Sequence, residues 1–174
     1  MKDDFIVPLN GLAQGRTRFS LSVGKEFFER FENSEILGAG LDVGIVVEKS
    51  GRFIGVDCEI DGHVTVTCDR CLGDLRIPVS TGFALSVKFG DPDSAGEAEG
   101  GREIVVLPFT DTGLDLSQAV YDYICLSLPV QRVHEEGGCD PDTVRFLSSE
   151  DDEGLVQKDS STPFAGLGDL LKKK

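Results

Sequence analysis

The sequence has little positive charge for its size. Of its 174 residues, 17 are lysine or arginine and 31 are aspartate or glutamate, which gives a formal net charge of −14. Nucleic-acid affinity comes largely from lysine and arginine side chains that neutralise phosphates. The charge therefore disfavours extensive direct contact with nucleic acid. It favours a basic protein as the partner, through electrostatic steering and surface complementarity.

Long apolar runs are also missing. No stretch approaches the about eighteen apolar residues that identify a membrane-spanning helix, and the segment Met1–Phe5 lacks the apolar core of a secretory signal. We therefore expect a cytoplasmic protein without membrane contacts. The length suits one domain with tails. We expect one β-rich domain at residues 1–147, followed by an acidic linker and a short C-terminal segment at 148–174.

The sequence contains none of the common catalytic motifs. It has no G-x-S-x-G elbow, no P-loop and no dinucleotide-binding fingerprint. His134 precedes Glu135 and Glu136, which could be read as an acid–base cluster, but such an acidic run is more typical of a solvated loop. We therefore predict a protein that is not an enzyme and takes no small-molecule substrate.

The cysteines suggest a metal site. Their number is odd, and a reducing cytoplasm favours thiols or metal ligands over disulfides. Cys68 and Cys71 lie on a predicted tight turn, where both sulfurs can point at one tetrahedral ion. His134 and Cys139 follow in a loop without a core-like pattern, and could complete a Cys3His zinc site. A structural turn with buried thiols is the alternative. A redox pair is disfavoured because a strand, not a helix, is predicted to follow the motif.

Alternating apolar residues dominate the centre of the chain. They predict consecutive strands with one apolar face, at residues 41–47, 54–60, 64–66, 75–79 and 83–89. Cys58 is in phase with this pattern, so we expect it in the core. Asp61-Gly62 is typical of a two-residue hairpin, and residues 80–82 predict a further turn. The pattern therefore indicates an antiparallel meander that could close into a barrel.

One main helix is predicted in the second half of the chain. Asp115 is a typical N-cap, an apolar helical face follows, and Pro129 should end the helix. An aromatic stripe at residues 27–31 predicts a shorter helix that faces the core. We expect the acidic, glycine-rich segment 90–102 to be a mobile loop. The predicted fold is thus β-rich α+β, with one helix packed on an antiparallel sheet and a flexible C-terminal tail.

Three motifs resemble one bacterial family. Residues 66–72 (VTCDRCL) resemble the V-x-C-x-R-C-L motif of the YceD-like large ribosomal RNA subunit accumulation proteins. Residues 115–129 resemble the family's D-L helix that ends in L-x-L-P, which a histidine and a cysteine follow, here His134 and Cys139. Residues 163–167 resemble the family's P-F-x-x-L segment. The resemblance implies a role in the synthesis, processing or stability of 23S rRNA, without implying a mechanism or a metal.

These observations support a ribosome-biogenesis factor that acts through protein contacts. Its acidic surface would complement a basic ribosomal protein or assembly factor. The predicted partner-binding residues are Asp69, Arg70 and Leu72 of the predicted cysteine turn. Arg70 would project from the turn, either as a contact residue for an acidic surface or phosphate or as an exposed structural arginine. The alternative is a small zinc-stabilised binding module unrelated to ribosomes. An RNA-binding protein in its own right is least favoured, because of the charge.

Overall fold

A five-stranded sheet is the main element of the structure. The computed structural model describes residues 5–32, 34–90 and 101–147. In chain order the elements are β1 (Ile6–Pro8), β2 (Gly15–Gly24), α1 (Lys25–Phe28), β3 (Ile36–Ser50), β4 (Phe53–Thr67), β5 (Asp74–Phe89), β6 (Glu103–Leu107), β7 (Gly113–Asp115), α2 (Ser117–Ser127) and α3 (Pro141–Leu147). The large sheet has the order β2-β3-β4-β5-β6, and β1 pairs separately with β7.

The strand order confirms the predicted β-rich fold. Each neighbouring pair from β2 to β5 is antiparallel, as in a meander, whereas β6 lies parallel to β5. The sheet of the described residues does not close into a barrel. Two predicted features fall on residues outside the described ranges, namely the mobile acidic loop, apart from its ends, and the C-terminal segment 148–174.

The central strands are longer than the sequence pattern predicts. β3 and β4 have 15 residues each and β5 has 16, and the β4–β5 ladder runs unbroken through both predicted turns. The turns predicted at Asp61-Gly62 and at residues 80–82 are therefore wrong. Gly62 has a φ of 147°, and a Cβ there would collide with the backbone carbonyl oxygen of Gly40. The glycine permits a close approach of two strands.

One face of the sheet forms the core. The buried apolar residues alternate along β3, β4 and β5, and include Val43, Ile45, Val56, Ile60, Val64 and Leu85. Cys58 is 2% exposed within this set, which confirms it as a core residue. In the aromatic stripe, Phe27 and Phe28 are buried and Phe31 is half-buried. Burial of such apolar surface contributes about 25 cal/mol per Å² and drives the assembly of the sheet.

Helix α2 packs against β5, as the sequence predicts for the main helix. Val120 and Ile124 are fully buried in the contact. The helix begins one residue later than the predicted cap implies, but the Asp115 carboxylate still accepts a 2.8 Å hydrogen bond from the Ser117 amide. It ends before Pro129, as predicted. None of the helices among the described residues is long and apolar enough to cross a membrane.

Candidate metal centre

The β4–β5 connection carries the paired cysteines in a tight loop, residues 68–73. The Cys68 amide donates to the Gly73 carbonyl at 2.8 Å, and the Leu72 amide donates to the Cys68 carbonyl at 3.0 Å. Leu72 has a φ of 59°, a left-handed conformation that reverses the chain. Both sulfur-bearing side chains point inward, because Cys68 and Cys71 are 0% and 6% exposed. The long strands on either side hold this loop in place.

Four predicted ligands meet beside this loop. The side chains of His134 and Cys139, from the segment between α2 and α3, reach Cys68 and Cys71, and the four ligand atoms lie within 4.8 Å of one another. The Cys68 and Cys139 sulfurs are 3.9 Å apart. The His134 Nδ1 atom lies 3.4 Å from the Cys71 sulfur and 3.7 Å from the Cys139 sulfur. Residues more than sixty positions apart thus form one compact cluster.

These distances suit a tetrahedral zinc ion. With Zn–S bonds of about 2.3 Å and a Zn–N bond of about 2.0 Å, tetrahedral geometry places two sulfurs about 3.8 Å apart and a sulfur and a nitrogen about 3.5 Å apart. The Cys68–Cys139 separation of 3.9 Å is close to the first value, and the two sulfur–nitrogen separations, 3.4 and 3.7 Å, lie on either side of the second. All pairs of ligand atoms lie within 4.8 Å. Three thiols and one imidazole also form a set of donors that favours zinc over magnesium or calcium. The residues present therefore fit a closed structural zinc site.

A hydrogen bond orients the histidine for this role. The His134 Nε2 atom donates to the Asp74 carbonyl oxygen at 3.1 Å. With the proton on Nε2, the Nδ1 lone pair faces the three sulfurs. Metal-bound histidines commonly have such a second partner, which fixes both the tautomer and the ring. Asp74 is the first residue of β5, so the sheet itself positions the imidazole.

Hydrogen bonding favours ionisation of the two cysteines in the loop, whereas burial raises the pKa of the Cys139 thiol. Burial alone would raise the pKa of the Cys68 thiol, but backbone N–H groups, those of Cys71 and Arg70 foremost, lower it to about 6. Backbone N–H groups, chiefly that of Asp140, also lower the pKa of Cys71. The hydrogen bond with Cys68 raises the pKa of His134. Cys68 is therefore mainly a thiolate at neutral pH, the form that binds metal.

Asp69 and Arg70 fasten the loop to the segment that follows α2. The Asp69 amide donates to the Arg132 carbonyl at 2.7 Å, and the Arg132 amide donates to the Asp69 carboxylate at 2.7 Å. The Arg70 guanidinium donates to the His134 carbonyl at 3.0 Å. Arg132 in turn forms a 2.6 Å ion pair with Glu35. The two cysteines and the two later ligands are thus joined by backbone and side-chain contacts as well.

Residues 56–171 match the sequence profile of the family described as large ribosomal RNA subunit accumulation protein YceD. The chain belongs to the YceD family. No curated protein and no solved structure matches it significantly.

The family's motif residues divide into two groups in this YceD protein. Its cysteines point into the cluster, whereas Asp69 and Arg70 use their polar groups on the neighbouring segment. Leu72 is 74% exposed and is the apolar side chain that the loop presents to solvent. The predicted partner-binding role of these three residues remains a prediction.

The sequence does not predict that Arg132, Asp74 and Glu35 contribute to the site. They belong to no motif, and an arginine in a polar segment is usually solvated. Their roles depend on contacts between positions far apart in the chain, such as the 97 residues that separate Arg132 from Glu35. A basic partner for the Asp69 carboxylate could be expected, but the sequence pattern does not identify Arg132 among the basic residues.

Proposed function

We propose that this YceD-family protein supports the accumulation of 23S rRNA in the bacterial cytoplasm, as a non-enzymatic factor that contacts a basic ribosomal protein or assembly factor. The family match over residues 56–171 carries the proposal. The net charge of −14 supports protein contacts over direct RNA binding. The basic partner is supported by the same charge.

We further propose that Zn²⁺ is the resident cofactor, held by Cys68, Cys71, His134 and Cys139. The separations between sulfur and nitrogen atoms support this assignment. In this position the ion would have a structural role, with four protein ligands and no open coordination position. It would fix the chain after α2 against the β4–β5 loop.

The proposed role is tested by depletion and rescue. Cells depleted of the protein should lose mature 23S rRNA relative to 16S rRNA, and the wild-type gene should restore the ratio. The measurement is RNA blotting of precursor and mature species, together with ribosomal subunit profiles. An unchanged ratio and unchanged profiles after depletion would contradict the proposed function.

The zinc assignment is tested with matched cysteine variants. Cys139→Ser removes one ligand and should weaken zinc binding by at least about 100-fold. Cys125→Ser serves as the control, because Cys125 is a half-buried thiol on α2 outside the cluster. Zinc content after purification without chelator, and competition with a chromogenic chelator, provide the measurements. Equal zinc affinities of the two variants in the competition experiment would exclude Cys139 as a ligand.

A second candidate function is favoured by the Cys3His cluster itself. Under this alternative the chain is a zinc-stabilised binding module with no part in ribosome production. Stoichiometric zinc in the wild type, combined with an unchanged 23S rRNA ratio after depletion, would select it over the first proposal.

A further inference from the structure

An apolar groove lies next to the candidate metal centre. It has a volume of about 400 Å³ and forms where the C-terminal half of α2, the segment Leu128–Arg132 and the start of β3 meet. We refer to it as the α2 groove; its lining residues are Glu35, Ile36, Tyr121, Cys125, Leu128, Pro129, Val130 and Arg132. Its size is within the range of sites that accept several ligand side chains.

The walls of the groove are mainly hydrophobic and partly exposed. Val130 is fully exposed to solvent, and the neighbouring lining residue Pro129 is exposed as well. Burial of such exposed apolar side chains by a partner protein would contribute favourably to the free energy of binding. None of the described residues covers the Val130 side chain.

The groove has a rigid wall on each side. The Tyr121 ring stacks on Phe31, with ring centroids 4.0 Å apart and an interplanar angle of 13°. On the other side, Arg132 is bound to Asp69 of the cysteine loop and to Glu35. A preformed site binds more tightly, because less conformational entropy is lost on association. The contacts to Asp69 also connect the shape of the groove to the metal centre.

The charges around the groove select a basic occupant. Glu35 and Asp69 both contact Arg132, so its one positive charge is shared between two carboxylates. Asp122, on α2, adds a further negative charge close to Cys125 in the groove wall. The surroundings thus have an excess of negative charge around an apolar floor. A segment that combines lysine or arginine with aliphatic side chains complements both features.

We propose that the α2 groove is the docking site for a basic, amphipathic segment of a partner protein, which inserts aliphatic side chains beside Val130. The proposal rests on the proposed function, since it assigns a surface to the basic partner. Under this proposal the partner makes its main contact with the α2 groove, and not with the cysteine loop. The loop then has the role of holding the groove in shape.

The test uses the zinc-loaded full chain and a short fluorescein-labelled peptide of lysine and leucine in an amphipathic helical pattern. Val130→Asp should weaken binding, measured by fluorescence anisotropy, by about tenfold. Phe109→Asp is the matched control, because Phe109 is 81% exposed and packs on Phe89 at the opposite end of β5. It should leave the affinity within about twofold of the wild type.

The two variants separate docking from unspecific charge attraction. Each adds one negative charge, so unspecific attraction would make both bind the cationic peptide slightly more tightly. Insertion into the groove predicts weaker binding for Val130→Asp alone. Equal affinities of the two variants would overturn the proposal. Because Val130 is fully exposed, its replacement should not disturb folding, and thermal unfolding of the variant checks this.

Two other occupants would also overturn the proposal. A wild-type dimer in sedimentation that Val130→Asp dissociates would assign the groove to a second copy of the chain. Tighter peptide binding by Phe164→Asp would assign it to the chain's own C-terminal segment. Failure of the groove proposal leaves the 23S rRNA ratio after depletion unaffected, so the two proposals fail independently.

Discussion

At the scale of single residues, glycines determine how closely the central strands approach each other. Gly62 has a φ of 147°, and Gly82 lies where a Cβ would be 2.6 Å from the Cys58 carbonyl oxygen. Both positions interrupt the alternating apolar pattern of the sequence, and a glycine after an aspartate commonly marks a turn. In this sheet the same residues let neighbouring backbones come close without ending the strand. The local sequence therefore indicates that a glycine is required at these positions, but not whether it forms a turn or allows two strands to approach closely.

Replacing Gly62 by alanine should destabilise the fold. The new Cβ would collide with the Gly40 carbonyl oxygen and would also have to accept a positive φ, for a combined cost of about 1–3 kcal/mol. Gly44→Ala is the control, because the nearest atom to its Cβ is 4.0 Å away. Urea unfolding of both variants measures the difference. Equal midpoints would show that β3 and β4 can separate at Gly62 without loss.

Single residues also explain why the proximity of the four candidate ligands was predictable. Cys68 and Cys71 share a turn, so their proximity follows from the sequence. His134 and Cys139 were chosen because a solvated loop does not otherwise explain them, and they lie with the cysteines in the structure. The second partner of His134, the Asp74 carbonyl, is a backbone group. No side-chain pattern could have identified it.

At the scale of elements, α2 connects the sheet to the metal centre and to the groove. Its inward face, with Val120 and Ile124, is predictable because apolar residues repeat with helical spacing. The exposure of its C-terminal end is not predictable, since Leu126 belongs to the same apolar run but faces solvent. The groove arises from three separate segments, and each segment by itself has an ordinary sequence. Its existence therefore depends on tertiary packing.

Side-chain truncations on the buried and the exposed face of α2 should have different effects on stability. Ile124 is fully buried, so Ile124→Ala should lower the free energy of unfolding by about 2–5 kcal/mol through lost burial and a cavity. Leu126→Ala removes a side chain that is 78% exposed and should change stability by less than about 0.5 kcal/mol. Chemical denaturation with far-ultraviolet circular dichroism compares the two. Similar losses would mean that Leu126 is buried in solution.

At the scale of the whole molecule, the four candidate ligands lie where the segment after α2 meets the β4–β5 loop, a contact that the sheet alone does not provide. The chain from Pro129 to Asp140 contains no strand or helix, and its fixed points are Arg132, His134 and Cys139. A ligand that binds only the folded state stabilises it by a free energy that rises with the logarithm of the ratio of its free concentration to its dissociation constant. Zinc should therefore contribute to the stability of the entire fold, and through Arg132 to the shape of the α2 groove.

Removal of zinc should lower the melting temperature. At a free concentration of one hundred times its dissociation constant, the ion would contribute about 2.7 kcal/mol, and its loss would lower the melting temperature by about 5–10 °C for a chain of this size. Scanning calorimetry with and without EDTA measures the shift. Cys139→Ser is the control, since chelator should have a much smaller effect on a variant whose zinc affinity is about 100-fold weaker. The same melting temperature for the wild type in both buffers would mean that the four ligands hold this segment without an ion.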